Sequence, residues 1–563
     1  MLDCQQQPLI LIDLEPLDTG TLIVFSLIVF LIGLSFAKTG KDIKSFFAAG
    51  GAVPWWINGL SLFMSFFSAG TFVVWGSIAY SEGWVSVTIQ WTMAVAGLLI
   101  GLFIAPRWRR TNVVTAAEFI TRRLGYPTQK IYTYLFLFIA MFTTGAFLYP
   151  VAKIVEVSTQ LSIVPCILLI GGAITIYTTT GGLWAVIVTD VLQFIVLTAA
   201  VLIVIPLSFR AVDGTANFIS EAPAGFFDLL SEEYSAGFMI AFGLYNLVFI
   251  GGNWAYVQRY TSVARPKDAR KVGWLFGALY LISPVVWMLP PMIYRVVNPE
   301  LAGFADEGAY LMMCKAVLPA GMLGLILGGM VFATSSSVNT TLNIAAGVFT
   351  NDIYRRFFPQ SSDQRTMQVA RGSTLLFGAI TVVVALLVPS MGGIVEVVLT
   401  VGALTGGALY LPPIWALFSK RQTGHSVLVT TFGSLIVNVA IRFGGGQIGV
   451  TLSRAEEMML GVILPVLILL GYELYYAARG QEEVAYHRLF QEEPEAEAAA
   501  TAALATDRDN QRGVRVIATG VIAVGILIII LGLLADFAQA LIGGAGLAVL
   551  VLGAVLLRKR TNC

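Results

Sequence analysis

The strongest constraint on this chain is a succession of long apolar segments. A helix needs about 20 apolar residues to cross the hydrocarbon core of a bilayer. By this measure the sequence predicts fifteen spans, or fourteen if the final pair forms one broken element. The predicted spans lie near residues 20–36, 54–80, 84–105, 131–153, 161–178, 184–207, 236–258, 273–297, 317–351, 372–390, 393–418, 425–441, 457–477, 516–535 and 539–557.

The composition agrees with an all-α polytopic membrane protein. Of the 563 residues, 57% are hydrophobic and only 12% are charged, which does not describe a soluble domain. The net charge of +1 implies no strong attraction to nucleic acid. The four cysteines form no CxxC pair, so neither a disulfide framework nor a thiolate metal site is expected.

The basic residues predict an orientation. If the N-terminus lies outside, 28 of the 34 Lys and Arg residues fall on the inner side, Arg259 among them. The chain is therefore expected in the plasma (inner) membrane, with its C-terminus in the cytoplasm. The first 20 residues lack a basic region ahead of their apolar run and are interpreted as a retained external tail.

A polar stretch interrupts one of the apolar spans. Residues 331–343 read VFATSSSVNTTLN, and helical spacing places Ser336, Ser337 and Thr340 on one face. Hydroxyls in a membrane helix serve either close helix packing or, as a ring of neutral oxygens, a hard cation such as sodium. The stretch by itself leaves both explanations open.

Other polar residues lie at membrane depth. The segment SLFMSFFSAGTF, residues 61–72, has a small polar centre that suits an unwound helix, although a kink would explain it too. Asp190 has apolar neighbours and is either functional or solvated at the interface. Gln90 and Asn246 are interpreted as pocket residues, and Asn253 as a residue that bonds another helix.

Four segments together resemble the sodium:solute symporter family, which contains sodium–sugar, sodium–proline and sodium–sialic acid transporters. The similarity runs from about residue 35 to 420 in the family's order. The segments are FFAAGGAVPWWINGLSLFMS, YTTTGGLWAVIVTDVLQ, GGNWAYVQRYTSVARPKDARK and ATSSSVNTTLNIAAGVFTNDIYRRF.

The resemblance implies a LeuT-like inverted repeat of five plus five helices. The expected domains are an external tail, first helix and inner loop at 1–53, a first repeat at 54–207, an external loop at 208–235, a second repeat at 236–418, two accessory helices at 419–477, an acidic cytoplasmic linker at 478–512, and a C-terminal hairpin with a basic tail at 513–563.

The resemblance also implies site residues. Sodium would be held by the backbone carbonyls of Met64, Phe67 and Ala333 and by the hydroxyls of Ser336 and Ser337. A second sodium would use Asp190, Asn339 and Thr340, of which the last two replace serines of the family pattern. The substrate pocket would be lined by Thr71, Trp75, Gln90, Met93, Asn246, Phe249 and Tyr280.

The predicted function is sodium-driven uptake of a small polar organic solute, sugar-like as a first guess, by alternating access. No oligomer is required. An enzyme is disfavoured because no HExxH or GxSxG motif occurs and Asp190 has no histidine partner in the sequence. The alternative is a membrane solute sensor that acts through a partner protein.

Overall fold

The structure is a computed structural model of the chain. It describes residues 14–35, 53–68, 70–113, 115–159, 161–301, 306, 308–388, 394–449, 452–491 and 508–558. Most of the predicted external tail and of the inner loop before residue 53, the middle of the acidic linker and the basic C-terminal tail lie outside the described residues.

The described part of the chain is helical and contains no strand. The first half is built from α1 (Pro16–Ser35), α2 (Trp55–Phe66), α3 (Thr71–Glu82), α4 (Val85–Arg110), α5 (Ala116–Leu124), α6 (Tyr126–Thr159), α7 (Ile163–Ala211) and α8 (Thr215–Glu221). The second half contains α9 (Ala236–Gly252), α10 (Trp254–Thr261), α11 (Pro266–Val297), α12 (Ala309–Val317), α13 (Met322–Phe357), α14 (Asp363–Leu387), α15 (Ile394–Phe418), α16 (Gly424–Gly444), α17 (Arg454–Ala478), α18 (Val484–Gln491), α19 (Arg508–Leu534) and α20 (Gln539–Arg558).

The helices occupy the predicted spans. Among the described residues, 11 helices are long and apolar enough to cross a membrane, or 13 when each of two bent pairs counts as one span. Two shorter apolar helices, Ile163–Ile176 and Leu404–Phe418, fall at two further predicted spans. All fifteen predicted positions therefore hold an apolar helix.

The two bent pairs stand at corresponding places, at the start of each predicted five-helix repeat. The axes of α2 and α3 differ by 64°, and those of α9 and α10 by 59°. Phe67 leaves the helical conformation at the end of α2, and Asn253 does so between α9 and α10. The first break was predicted from its small polar centre, whereas the second was not.

Side chains stabilise both breaks by replacing lost main-chain hydrogen bonds. The Thr71 hydroxyl accepts from the Ser68 N–H at 3.0 Å and donates to the Phe66 carbonyl at 3.3 Å. The Asn253 side chain accepts from the Ala255 N–H at 2.9 Å, as an N-cap does. Its amide nitrogen also donates to the Tyr410 hydroxyl at 3.3 Å, which confirms the predicted bond to another helix.

One helical segment joins two predicted spans. Helix α7 is unbroken from Ile163 to Ala211 and so covers nearly all of the predicted spans 161–178 and 184–207, which is longer than a straight helix within one bilayer. Thr178 contacts Asn339, while Asp190 lies close to the neighbouring Thr340 through Arg259. Residues from both predicted spans within α7 therefore approach adjacent residues of α13.

Helix α13 lies at the centre of the bundle, in contact with α1, α2, α6, α7 and α14. Its N-terminus is capped by a carboxylate from another helix: Asp18 of α1 accepts from the Gly321 and Gly324 N–H groups at 2.8 and 3.0 Å. A negative charge at this position satisfies unpaired donors and complements the helix dipole. Gly321 adopts a left-handed conformation with φ of +89°, and a Cβ at Gly324 would lie 1.9 Å from the Asp18 carbonyl oxygen.

Replacing Asp18 by alanine is expected to lower the free energy of unfolding by about 1–2 kcal/mol, the usual range for a lost helix cap. Thermal unfolding of the purified variant and of the unaltered protein in detergent measures this loss of stability. Asp536→Ala, at an exposed position between α19 and α20, is the matched control and should leave the melting temperature unchanged. Equal melting temperatures for the two variants would contradict a capping role.

The short helix α18 connects elements of the two predicted repeats. The Tyr486 hydroxyl accepts from Arg107 of α4 at 2.6 Å, and Arg107 also donates to the Leu417 carbonyl at 3.2 Å. Arg123 of α5 lies over the Tyr486 ring and donates to the Ser419 carbonyl at 2.8 Å. Burial lowers the pKa of the Arg123 guanidinium. Within the predicted linker, α18 is therefore packed against these helices through Tyr486, whereas residues 478–482 are exposed.

Among the described residues, three of the basic residues counted on the inner side are buried: Arg109, Arg123 and Arg259. Arg109 donates to the Val263 and Ala264 carbonyls at 2.6 and 3.0 Å. A guanidinium carries five donors, so it can satisfy carbonyls at helix ends as well as face water. The position of an arginine along the chain therefore could not show whether its guanidinium faces water or is buried against carbonyls.

Candidate functional site

The hydroxyl stretch of α13 lies against the broken end of α2. The Ser337 hydroxyl donates to the Ser65 carbonyl at 2.8 Å. Met64 and Phe67 flank Ser65 closely in the chain, and the Phe67 N–H donates to the Met64 carbonyl at 3.1 Å. Ala333 is one turn before Ser337 on the same face of α13, and all five residues are buried. Four of the five predicted sodium residues are thereby brought to one place.

The fifth, Ser336, has a side chain outside the described part of the structure. Its neighbours behave differently from Ser337. Thr334 and Ser335 donate to carbonyls one turn back in their own helix, at 3.2 and 2.8 Å. Local bonding therefore explains those two hydroxyls, whereas Ser337 reaches across to another helix.

The neutral oxygens here suit a small hard cation. Where a membrane helix is broken, carbonyls near the break are available to an ion, and hydroxyls of a facing helix can complete its shell. The region contains no histidine or cysteine, and within the described residues no group of three His, Cys, Asp or Glu could hold a metal. The donor set therefore fits sodium better than a transition metal.

A buried ion pair lies beside this region. Asp190 of α7 and Arg259 of α10 are both 0% exposed, and Nη2 of Arg259 is 3.8 Å from Oδ2 of Asp190. The Ser61 hydroxyl of α2 joins them, because it donates to Asp190 Oδ2 at 2.5 Å and accepts from Arg259 Nε at 3.1 Å. Asp190 is therefore not solvated at an interface; it is paired inside the helix bundle.

The residues predicted for a second sodium do not share one empty site. The Thr340 hydroxyl accepts from Arg259 Nη2 at 2.8 Å, so Thr340 and Asp190 are brought together by the guanidinium. The side-chain oxygen of Asn339 instead accepts a hydrogen bond from the Thr178 hydroxyl. A positive charge thus already stands between two of the three predicted ligands.

Sequence reasoning missed Ser61 and Arg259 as members of this cluster. Arg259 follows the end of a predicted span directly and was counted with the inner loops. The available signal was the sequence GGNW at 251–254, where two glycines and a capping asparagine indicate a helix break. After that break, α10 turns inward and all its residues are buried.

Most of the predicted substrate residues are buried between α3, α4, α9 and α11. Gln90 and Asn246 are 2% and 3% exposed, while Trp75 and Phe249 are partly buried. Thr71 holds the break as described above. The three aromatic members each contact another ring: Trp75 with Phe242, Phe249 with Tyr245, and Tyr280 with Phe63, at centroid distances of 5.9, 5.5 and 5.0 Å.

The two buried amides bond to their own helices through the same chemical group, the amide nitrogen. Gln90 Nε2 donates to the Ser86 carbonyl at 3.2 Å, and Asn246 Nδ2 donates to the Phe242 carbonyl at 2.9 Å. Each nitrogen is therefore bonded to its own helix one turn back. The amide oxygens remain as acceptors for a hydrogen-bond donor on a solute.

Known proteins resemble this chain over most of its length. The sodium/glucose cotransporter of Vibrio parahaemolyticus is 25% identical over 470 residues, covering 76% of this chain and 85% of that protein. The sodium/myo-inositol cotransporter 2 of Sus scrofa is 28% identical over 423 residues; the match covers 68% of this chain but only 63% of that longer protein.

A solved structure shares the fold. It is that of a Na⁺-coupled sialic acid symporter in a substrate-bound, outward-open state, with a TM-score of 0.71 and 24% identity, covering 82% of this chain and 98% of that one. The fold is accordingly the LeuT-like one predicted. These similar proteins are transporters, which gives the sensor alternative no support.

The description of the sodium:solute symporter family matches residues 46–432, which is more than two thirds of the chain and includes the broken helices, the ion pair and the hydroxyl stretch. The chain therefore belongs to the sodium:solute symporter family, a family of sodium-coupled solute transporters and not of enzymes.

Proposed function

We propose that the protein binds sodium where α13 meets the broken end of α2, and uses it to drive uptake of an uncharged, polar, sugar-like solute. The observation that carries the proposal is the hydrogen bond from the Ser337 hydroxyl to the Ser65 carbonyl, which joins the two elements at the break. Sodium would be held by the carbonyls of Met64, Phe67 and Ala333 and the hydroxyls of Ser336 and Ser337. Five neutral oxygens bind such an ion moderately, so that it can leave inside.

The ion would act by joining two parts that move relative to each other. An ion shared between α2 and α13 stabilises the state in which these helices are close, and is released when they separate. Such differential affinity for two states is what coupling requires. The membrane potential adds about 2.3 kcal/mol per charge per 100 mV to the driving force.

The solute class follows from the buried amides and rings. The amide oxygens of Gln90 and Asn246 would accept hydrogen bonds from hydroxyl groups, and Trp75 or Phe249 would pack against an apolar ring face. None of the seven predicted lining residues carries a formal charge, which favours an uncharged solute. Glucose and myo-inositol, named for two of the relatives, are neutral polyhydroxylated rings of this kind.

The cellular placement is part of the same proposal. The excess of basic residues on alternate loops favours a plasma (inner) membrane protein with its N-terminus outside and its C-terminus in the cytoplasm. The two repeats at 54–207 and 236–418 would form the transport core, with the remaining helices as accessories. Because one copy supplies every proposed ligand, an oligomer is not required.

The test is solute uptake into liposomes containing the purified protein. Labelled sugars, polyols, amino acids and organic acids are screened with an inward sodium gradient. We expect uptake of at least one neutral polyhydroxylated solute, and its loss when choline replaces sodium. Liposomes without protein are the control for leakage.

Two outcomes would contradict the proposal. Uptake that persists unchanged in choline would exclude sodium coupling. Sodium-driven uptake restricted to organic acids or amino acids would overturn the solute class while leaving the sodium site in place.

A further inference from the structure

We propose that the guanidinium of Arg259 takes the place of a second sodium ion, so that the protein moves one sodium with each solute. The inference rests on the proposed sodium site and adds the number of ions. Arg259 contacts Asp190 through the ion pair at 3.8 Å and Thr340 through a hydrogen bond at 2.8 Å. Its positive charge lies where a mobile cation would have to sit to use both residues.

Hydrogen bonds already engage three side-chain oxygens of this region: the hydroxyl of Ser61, Oδ2 of Asp190 and the amide oxygen of Asn339. The Ser61 hydroxyl accepts from Arg259 Nε at 3.1 Å and donates to Asp190 at 2.5 Å. The Asn339 oxygen accepts from Thr178. A second sodium at these three oxygens would compete with the hydrogen bonds that they already accept.

Electrostatics oppose the ion as well. Asp190 and Arg259 are both fully buried, so solvent screens neither charge. A sodium ion bound to Asp190 would lie within a few ångströms of the guanidinium, where two positive charges repel strongly in a medium of low dielectric. The single negative charge of Asp190 balances one positive charge, and the Arg259 guanidinium already supplies that charge.

The placement of Arg259 in the fold explains why its positive charge is not transported across the membrane, as a sodium ion is. It belongs to α10, whose eight residues are all buried, and α10 contacts α2 and α13. Ser61 belongs to α2, the half-helix that precedes the first break, while Asp190 and Thr340 belong to α7 and α13. The ion pair therefore links the half-helices beside both breaks to the helices around them, as a fixed part of the protein.

The first experiment measures the coupling ratio of the unaltered protein. Liposomes loaded with labelled solute are placed in opposing sodium and solute gradients at zero membrane potential, and the condition of no net solute flux is found. We expect balance when the solute ratio equals the sodium ratio. Balance at the square of the sodium ratio would mean two ions per solute and would overturn the inference, although sodium symport itself would stand.

The second experiment changes Arg259. In Arg259→Gln the positive charge is removed and the Asp190 carboxylate becomes available to an ion. We expect the Hill coefficient for sodium activation of uptake to rise from about one toward two. Arg259→Lys keeps the charge and should keep the coefficient near one.

The outcomes are distinguishable from failure of the proposed function. If the unaltered protein shows no sodium-dependent uptake, the proposed function fails. If it does, and Arg259→Gln keeps both the coefficient and the coupling ratio at one, then Arg259 does not exclude a second ion. The ratio of the unaltered protein keeps the inference falsifiable even if Arg259→Gln does not fold.

Discussion

Replacing Ser337 by alanine is expected to raise the sodium concentration for half-maximal uptake by about 10- to 100-fold. The substitution removes one of five proposed ligands, and an interaction between a hydroxyl and a charged group contributes about 1.5–3 kcal/mol. Each 1.4 kcal/mol corresponds to about a tenfold change in an equilibrium constant. The measurement is initial uptake in liposomes across a range of sodium concentrations, at saturating solute.

Ser335→Ala is the matched control. It makes the same change two residues away on α13, but the Ser335 hydroxyl donates within its own helix, to the Val331 carbonyl at 2.8 Å. We expect its sodium dependence to match that of the unaltered protein. If both variants shift equally, the effect comes from the helix as a whole, and Ser337 is not a ligand. If neither shifts, the sodium site lies elsewhere.

The span pattern and the first break were predictable because both depend on local composition. A helix in hydrocarbon needs a fixed length of apolar residues, so the fifteen spans follow from counting. The first break follows from Ser65 and Ser68, whose hydroxyls compete with helical hydrogen bonds, and from Gly70, which has no side chain to favour the helix. The resemblance placed the hydroxyl of Ser337 opposite that break, and the two do meet.

Arg259 was not predictable in the same way. Charge counting assigns a residue to the side of the membrane on which its span ends, which treats every helix as straight. The break at Asn253 redirects the next two turns, so Arg259 lies inside the bundle rather than beyond it. The pairing of Asp190 with Arg259 depends on this tertiary geometry, which spacing along the chain does not contain. The same holds for Asp18, which caps a helix more than 300 residues later.

Replacing Asp190 by asparagine is expected to lower the free energy of unfolding by about 3–5 kcal/mol, because it leaves the Arg259 charge buried without its partner. The double variant Asp190→Asn with Arg259→Gln removes both charges and is expected to be more stable than Asp190→Asn alone. The reason is that an uncompensated buried charge costs more than the absence of the whole pair. Thermal unfolding of the purified variants in detergent, in a sodium-free buffer, measures both effects.

The unaltered protein, Asp190→Asn, Arg259→Gln and the double variant form a double-mutant cycle. This cycle isolates the interaction between the two side chains from the effect of each substitution. Asp228→Asn, at an exposed position between α8 and α9, controls for the chemical change itself and should be neutral. If the effects of the two single substitutions simply add in the double variant, the pair contributes nothing to stability.

Repeating the cycle with sodium present links the ion pair to transport. Arg259→Gln keeps Asp190 but frees it from the guanidinium. Only this variant should gain more stability from sodium than the unaltered protein gains. That extra gain should disappear in the double variant, since it lacks the carboxylate that would hold the ion.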